Sequence, residues 1–146
     1  MGKFLRSIFI LIIIALVGIQ FIEVEKTNPP VAGEIQAPQD VMKILRKSCY
    51  DCHSNTTEWP WYSDVAPVSW LISDDVISGR KHLNFSEWEK YNDVRKEKKL
   101  ESIWEEINTD EMPIKAYRYV HPGSELDFNQ KGIVKKWITG KGIGED

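Results

Sequence analysis

The sequence is poor in the residues that bind metals. Its 146 residues include two cysteines, three histidines and three methionines, too few for a second cysteine-based cofactor motif beside the one described below. It also has no basic excess. Nineteen Lys and Arg stand against 22 Asp and Glu, a formal net charge of −3, which argues against nucleic acid as a partner because a phosphate-binding surface needs surplus positive charge. No glycine-rich phosphate loop, internal repeat or low-complexity tract is present. No segment alternates apolar and polar residues with period two, so essentially no sheet is expected. Aromatic residues, by contrast, are plentiful at 11%, and six are tryptophan. Such bulk suits either a small core or the burial of a large flat cofactor.

One long apolar run stands apart. Lys3 and Arg6 precede an uncharged stretch over residues 7–22, slightly short of the roughly 20 apolar residues that cross a bilayer. Phe4 and Leu5 extend it if Arg6 snorkels back to the headgroups. No small-residue cleavage site follows Ala15 and Gly18, so residues 1–24 are expected to form an uncleaved signal-anchor rather than a removed signal peptide. The positive flank stays on the cytoplasmic side. The remaining chain is therefore expected outside the cytoplasm, on the periplasmic face of a bacterial cytoplasmic membrane.

Residues 25–37 carry Pro29, Pro30 and Gly33 and read as an extended linker. A helical domain is then expected over 38–146. Asp40 is placed to cap a first helix with Val41, Ile44 and Leu45 on its apolar face. A second helix is expected from about Pro67 to Gly79, with Val65, Val68, Ile72 and Val76 marking its main face and Trp70 and Ile77 the other. Ser86 and Glu89 form a capping-box pattern opening a third. A fourth is expected over 93–107, on Val94, Leu100, Ile103, Trp104 and Ile107. A last helix runs from Asp127 to Gly140, with Ile133, Val134, Trp137 and Ile138 inward. Gly132 either permits a close crossing with the first helix or lies on the surface.

The two cysteines fall in Cys49-Tyr50-Asp51-Cys52-His53. Cysteines three apart on a helical turn project to one side, so both thiols can add to the two vinyl groups on one haem edge. The adjoining His53 can then coordinate the iron. A C-x-x-C-H motif behind an export segment reads as a c-type haem attachment site. A thioredoxin-like pair wants a strand–helix context, and zinc needs two more ligands from distant loops. A plain disulfide is the remaining alternative. His53 also needs an acceptor for its second nitrogen, the Pro67 carbonyl being one candidate.

The sixth iron ligand is read as Met112, in the Glu111-Met112-Pro113 loop, because a thioether is a common partner to histidine in cytochromes c. His121, His82 and an open or water-bound position compete with it. Met42 lies too near the attachment site to reach the far face of the ring. Trp59, Trp61 and Tyr62 are candidates for packing on the haem or donating to its propionates; the alternative is a loop pinned by aromatics. Arg80 and Lys81 are placed either to neutralise propionates or in solvent.

These residues lie in a recognisable order. Cys49-Tyr50-Asp51-Cys52-His53-Ser54-Asn55-Thr56, Trp59-Pro60-Trp61-Tyr62, Ala66-Pro67-Val68-Ser69-Trp70, Asn84-Phe85-Ser86-Glu87-Trp88, Glu111-Met112-Pro113 and His121-Pro122 together resemble the bacterial haem-binding domain family of cytochrome c-like proteins. The resemblance implies an all-α cytochrome c-like fold with its first and last helices crossing. It also implies one covalent haem c on Cys49 and Cys52, with His53 as proximal ligand. Met112 matches the place where the methionine of cytochromes c falls. The expected function is single-electron transfer with redox partner proteins at the membrane, and no enzymatic activity. A haem-based sensor or small peroxidase-like protein with a displaceable sixth ligand is the alternative.

Overall fold

The computed structural model describes residues 2–140. The fold is all-α, with no strand among the described residues. Helix α1 (Gly2–Gly18) continues through a 3-10 turn at Ile19–Phe21. The whole Gly2–Phe21 element is long and apolar enough to cross a membrane, and none of its length is buried in the protein.

Three helices build the core. Helix α2 (Gln39–Ser48) buries Val41, Ile44, Leu45 and Ser48, the i, i+3, i+4, i+7 stripe of an amphipathic helix. Asp40 sits inside its first turn, its carboxylate accepting from the Val41 N–H at 2.9 Å, where it opposes the helix dipole. Helix α5 (Asp93–Asn108) buries Leu100, Ile103 and Ile107 and is capped by Asn92, which accepts from the Arg95 N–H. Helix α7 (Phe128–Thr139) buries Val134, Trp137 and Ile138 and packs against both α2 and α5. The crossing of first and last domain helices is thus present. Gly132 takes no part in it, since a Cβ there would meet nothing within 4 Å.

Helix α3 (Tyr50–His53) is a single turn packed on α4 (Val68–His82). Helix α4 departs from its sequence pattern. It does not stop at Gly79, and its inward residues are Ser69, Ser73 and Val76 rather than the aliphatic row. Val65 and Val68 are exposed. The close approach to α3 falls at Gly79, where a Cβ would lie 2.5 Å from the Cys52 carbonyl oxygen. The segment Phe85–Lys90 is a 3-10 helix and not an α-helix. Asn84 caps it by accepting from the Ser86 N–H, while the Ser86 hydroxyl accepts from the Asn55 N–H instead. Glu89 pairs with Lys96, so the expected capping box does not form. A short helix, α6 (Lys115–Val120), follows the Met112 loop and was not anticipated.

Residues 22–38 run extended, but along the domain. The Ala32 and Ile35 N–H groups donate to the Ser86 and Phe85 carbonyls, each at 2.9 Å. Ile35 is almost fully buried and belongs to the main core cluster.

Candidate functional site

Helix α2 ends at Ser48, and Cys49 breaks it with φ −129°. The chain restarts at once as α3, so Cys49 and Cys52 stand at either side of one tight turn. That turn is clamped by its own neighbours. Tyr50 is buried and stacks on Phe85, ring centroids 5.3 Å apart, and its hydroxyl donates to Glu34. The Asp51 carboxylate accepts from the Glu58 N–H at 3.1 Å and from the Tyr117 hydroxyl at 2.7 Å. The Thr57 hydroxyl donates to the Asp51 carbonyl at 2.6 Å.

His53 Nδ1 lies 3.0 Å from the Gly79 carbonyl and 3.2 Å from the Leu83 carbonyl. Both are acceptors only, so Nδ1 carries the proton and Nε2 presents its lone pair. The acceptors come from the end of α4 and not from Pro67. Burial holds the imidazole pKa below its usual value, partly offset by those two hydrogen bonds. The ring is therefore neutral at pH 7, the form that ligates a metal.

A cavity of about 470 Å³ opens beside this turn, within the range of small-molecule and cofactor sites. Cys49 lines it from the junction before α3, Cys52 and His53 from α3; Gly79, His82 and Leu83 from the end of α4 and its cap; Met112, Pro113, Ile114 and Tyr117 from the far loop and α6. The fold thus brings Met112 to the same space as His53. His82 lines this space as well, its Nδ1 bonded to the Ser78 carbonyl.

His121 does not line the cavity. It stacks behind Tyr117 at 4.0 Å, with Nε2 3.3 Å from the Tyr62 hydroxyl and Nδ1 3.2 Å from the Tyr117 carbonyl. Trp59, Trp61 and Tyr62 lie outside the lining too. The Trp59 indole N–H is buried without a hydrogen-bond partner, while Trp61 points largely to solvent. Arg80 turns away from the cavity to bond the Ser54 and Thr27 carbonyls. Lys99 lines the cavity, as does Tyr117; neither carries a local sequence signal for this role.

The two thiols are free, and each is pushed up to about 12. Burial is the main cause for both. Cys52 adds to it at Cys49, and Asp75 and Asp51 add to it at Cys52, opposed by Arg80. A redox-active or zinc-binding cysteine needs a stabilised thiolate, and this environment disfavours one. Among the described residues no group of three or more His, Cys, Asp or Glu converges. A neutral thioether carries no such electrostatic cost. Burial and the hydrogen bond to Asp51 raise the Tyr117 pKa as well, which keeps its hydroxyl a donor.

An apolar cavity bordered by two neutral sulfurs, an oriented imidazole lone pair and a thioether fits a haem. The family comparison agrees in class. A model of the haem-binding domain matches residues 14–140, and the chain belongs to that family. No curated protein and no solved structure matches it.

Proposed function

We propose that this member of the haem-binding domain family is a membrane-anchored mono-haem c-type cytochrome that passes single electrons outside the cytoplasm. The observation that carries the reading is the convergence of Cys49, Cys52, His53 and Met112 on one cavity, with His53 Nδ1 already bonded. Cys49 and Cys52 would hold the haem by thioether bonds, each thiol adding across a vinyl double bond. His53 would ligate through Nε2, its ring orientation set by the Gly79 and Leu83 carbonyls. Met112 would supply the second axial sulfur. Haem, once bound, supplies a one-electron ferric–ferrous couple whose potential depends on axial ligands, burial and hydrogen bonding. The protein's own part is to fix those ligands and exclude water. The Lys3 and Arg6 flank supports the outward placement, and redox partner proteins at the same membrane would then meet the domain at raised effective concentration.

The test is expression of the full chain in a host that matures c-type cytochromes. We expect a pyridine haemochrome of the two-thioether type and one added porphyrin mass, both lost in the Cys49→Ser/Cys52→Ser double variant. A colourless wild-type chain rejects the reading. Met112→Ala is expected to abolish the weak far-red sulfur-to-iron charge-transfer band of the oxidised protein; an unchanged band removes Met112 from the ligand set.

One observation favours a second reading. Met112 is 36% exposed, and a ligand at the rim is easier to displace. Rapid carbon monoxide binding to the reduced protein would favour a sensor or peroxidase-like role, and slow or absent binding an electron carrier.

A further inference from the structure

The haem-site residues leave one surface feature unexplained. Trp61, Val65, Val68 and Leu71 are 78%, 43%, 41% and 67% exposed, all within one short stretch from a 3-10 turn at Trp61–Asp64 into the start of α4. Large exposed apolar groups gathered in one place mark a contact surface.

Other contacts tie this stretch to the end of the apolar helix. The Gln20 side chain grips the Ala66 backbone from both sides: its Nε2 donates to the Ala66 carbonyl at 3.0 Å, and its Oε1 accepts from the Ala66 N–H at 2.9 Å. Lys26 pairs with Asp64, and the Ser73 hydroxyl donates to the Glu25 carbonyl at 2.7 Å. The segment over 61–73 is thus bonded to the chain just where it leaves α1.

The length of α1 sets the depth. From Lys3 to Gln20 the helix rises roughly 26 Å at about 1.5 Å per residue, against a hydrocarbon core of about 30 Å. With Lys3 held at the inner headgroups, Gln20 has no slack beyond the outer boundary. Whatever Gln20 holds is drawn to that same level.

We propose that the domain rests on the outer membrane surface through residues 61–71, with Trp61, Val65, Val68 and Leu71 entering the lipid headgroup region. The proposal rests on the reading of Gly2–Phe21 as a membrane span. Tryptophan favours this interface, where its ring meets acyl chains and its N–H meets water. Asp74 and Asp75, both exposed one turn beyond Leu71, keep the contact shallow. The cavity lining on α4 begins at Asp75, about 6 Å along the helix from Leu71, and reaches His82, about 16 Å along. The anchor therefore does more than concentrate the domain at the membrane: it limits which faces a partner can approach.

The full haem-loaded chain is placed in phosphatidylcholine–phosphatidylglycerol vesicles with an apolar diazirine confined to the bilayer. After photolysis, labelled sites are mapped by mass spectrometry. Label is expected in residues 2–21 and in 61–71, with none at Val94 or Phe128, which are exposed apolar residues on other elements. The Trp61→Asp/Leu71→Asp variant changes only exposed side chains, so folding is retained. It is expected to lower label over 61–71 about fivefold while leaving 2–21 unchanged. Label in 2–21 without label in 61–71 overturns the docking face and leaves the span intact; that result also covers burial of the patch by a second copy or another protein. No label in either region overturns the span itself, and the docking face with it.

Discussion

Gly79 shows how much one missing Cβ decides. Its carbonyl orients His53, and a Cβ in its place would lie 2.5 Å from the Cys52 carbonyl oxygen and 3.2 Å from the Cys52 Cβ. The backbone of the turn over residues 49–53 cannot yield as a flexible side chain would. Gly79→Ala is expected to destabilise the protein by about 1–3 kcal/mol through overpacking and to lower the yield of covalent haem; urea unfolding and haem staining read the two effects. Asp110 is a second such residue. Its φ is +61°, and its carboxylate pairs with Lys131 at 2.7 Å. The Lys131 hydrogen bond holds its pKa below the ordinary carboxylate value. The folded state therefore ionises Asp110 more readily than the unfolded one. The stabilisation is present above about pH 4 and is lost as pH falls through the depressed value. Asp110→Asn, which tolerates the same backbone, is expected to trail wild type by a constant urea midpoint difference near neutral pH, narrowing below about pH 4.

Elements differ in how far local pattern governs them. Helix α7 is set by a local device: Asp127 accepts from the Gln130 N–H at 2.8 Å, and Gln130 accepts from the Asp127 N–H at 3.0 Å. Asp127→Ala is expected to cost about 1 kcal/mol, visible as a lower urea midpoint with an unchanged slope. Helices α2, α5 and α7 follow their apolar periods because each packs one face on the same core, except that Val94, expected inward at the start of α5, is exposed. Helix α4 does not. Its end must pass close to α3, which selects Gly79; Ser73 faces the chain leaving α1 instead, and the valine and leucine positions near its start lie outward. The 3-10 helix over Phe85–Lys90 differs for another reason: Ser86 bonds Asn55, a residue 31 positions away.

Across the whole molecule, residues 22–38 act as a strap tied along its length by backbone and side-chain bonds, and Arg80 holds its end at Thr27 and Asn28. Arg80 donates to the Ser54 carbonyl (2.7 Å), the Thr27 carbonyl (2.7 Å), Asn28 Oδ1 (3.0 Å) and Thr57 Oγ (2.8 Å). It joins strap, α4 and the loop after the C-x-x-C-H motif. Arg80→Ala is expected to cost about 2–3 kcal/mol, given its charge-assisted bonds and partial exposure. Faster hydrogen exchange at residues 25–28 would localise the loss, and Arg80→Lys would recover only part of it because lysine lacks the planar fork. The sequence by itself determined the C-x-x-C-H motif and the helices α2, α5 and α7. Five contiguous residues set the spacing of two thiols and an imidazole, and an apolar stripe needs only the helix period. It could not determine which groups meet across space. The acceptors for His53, the presence of Met112 and His82 in the cavity, the place of His121 behind Tyr117 and the packing of the strap depend on how whole elements approach one another. Local periodicity states which face of α2 or α7 is buried, but not of α4; only the packed chain decides what lies against each.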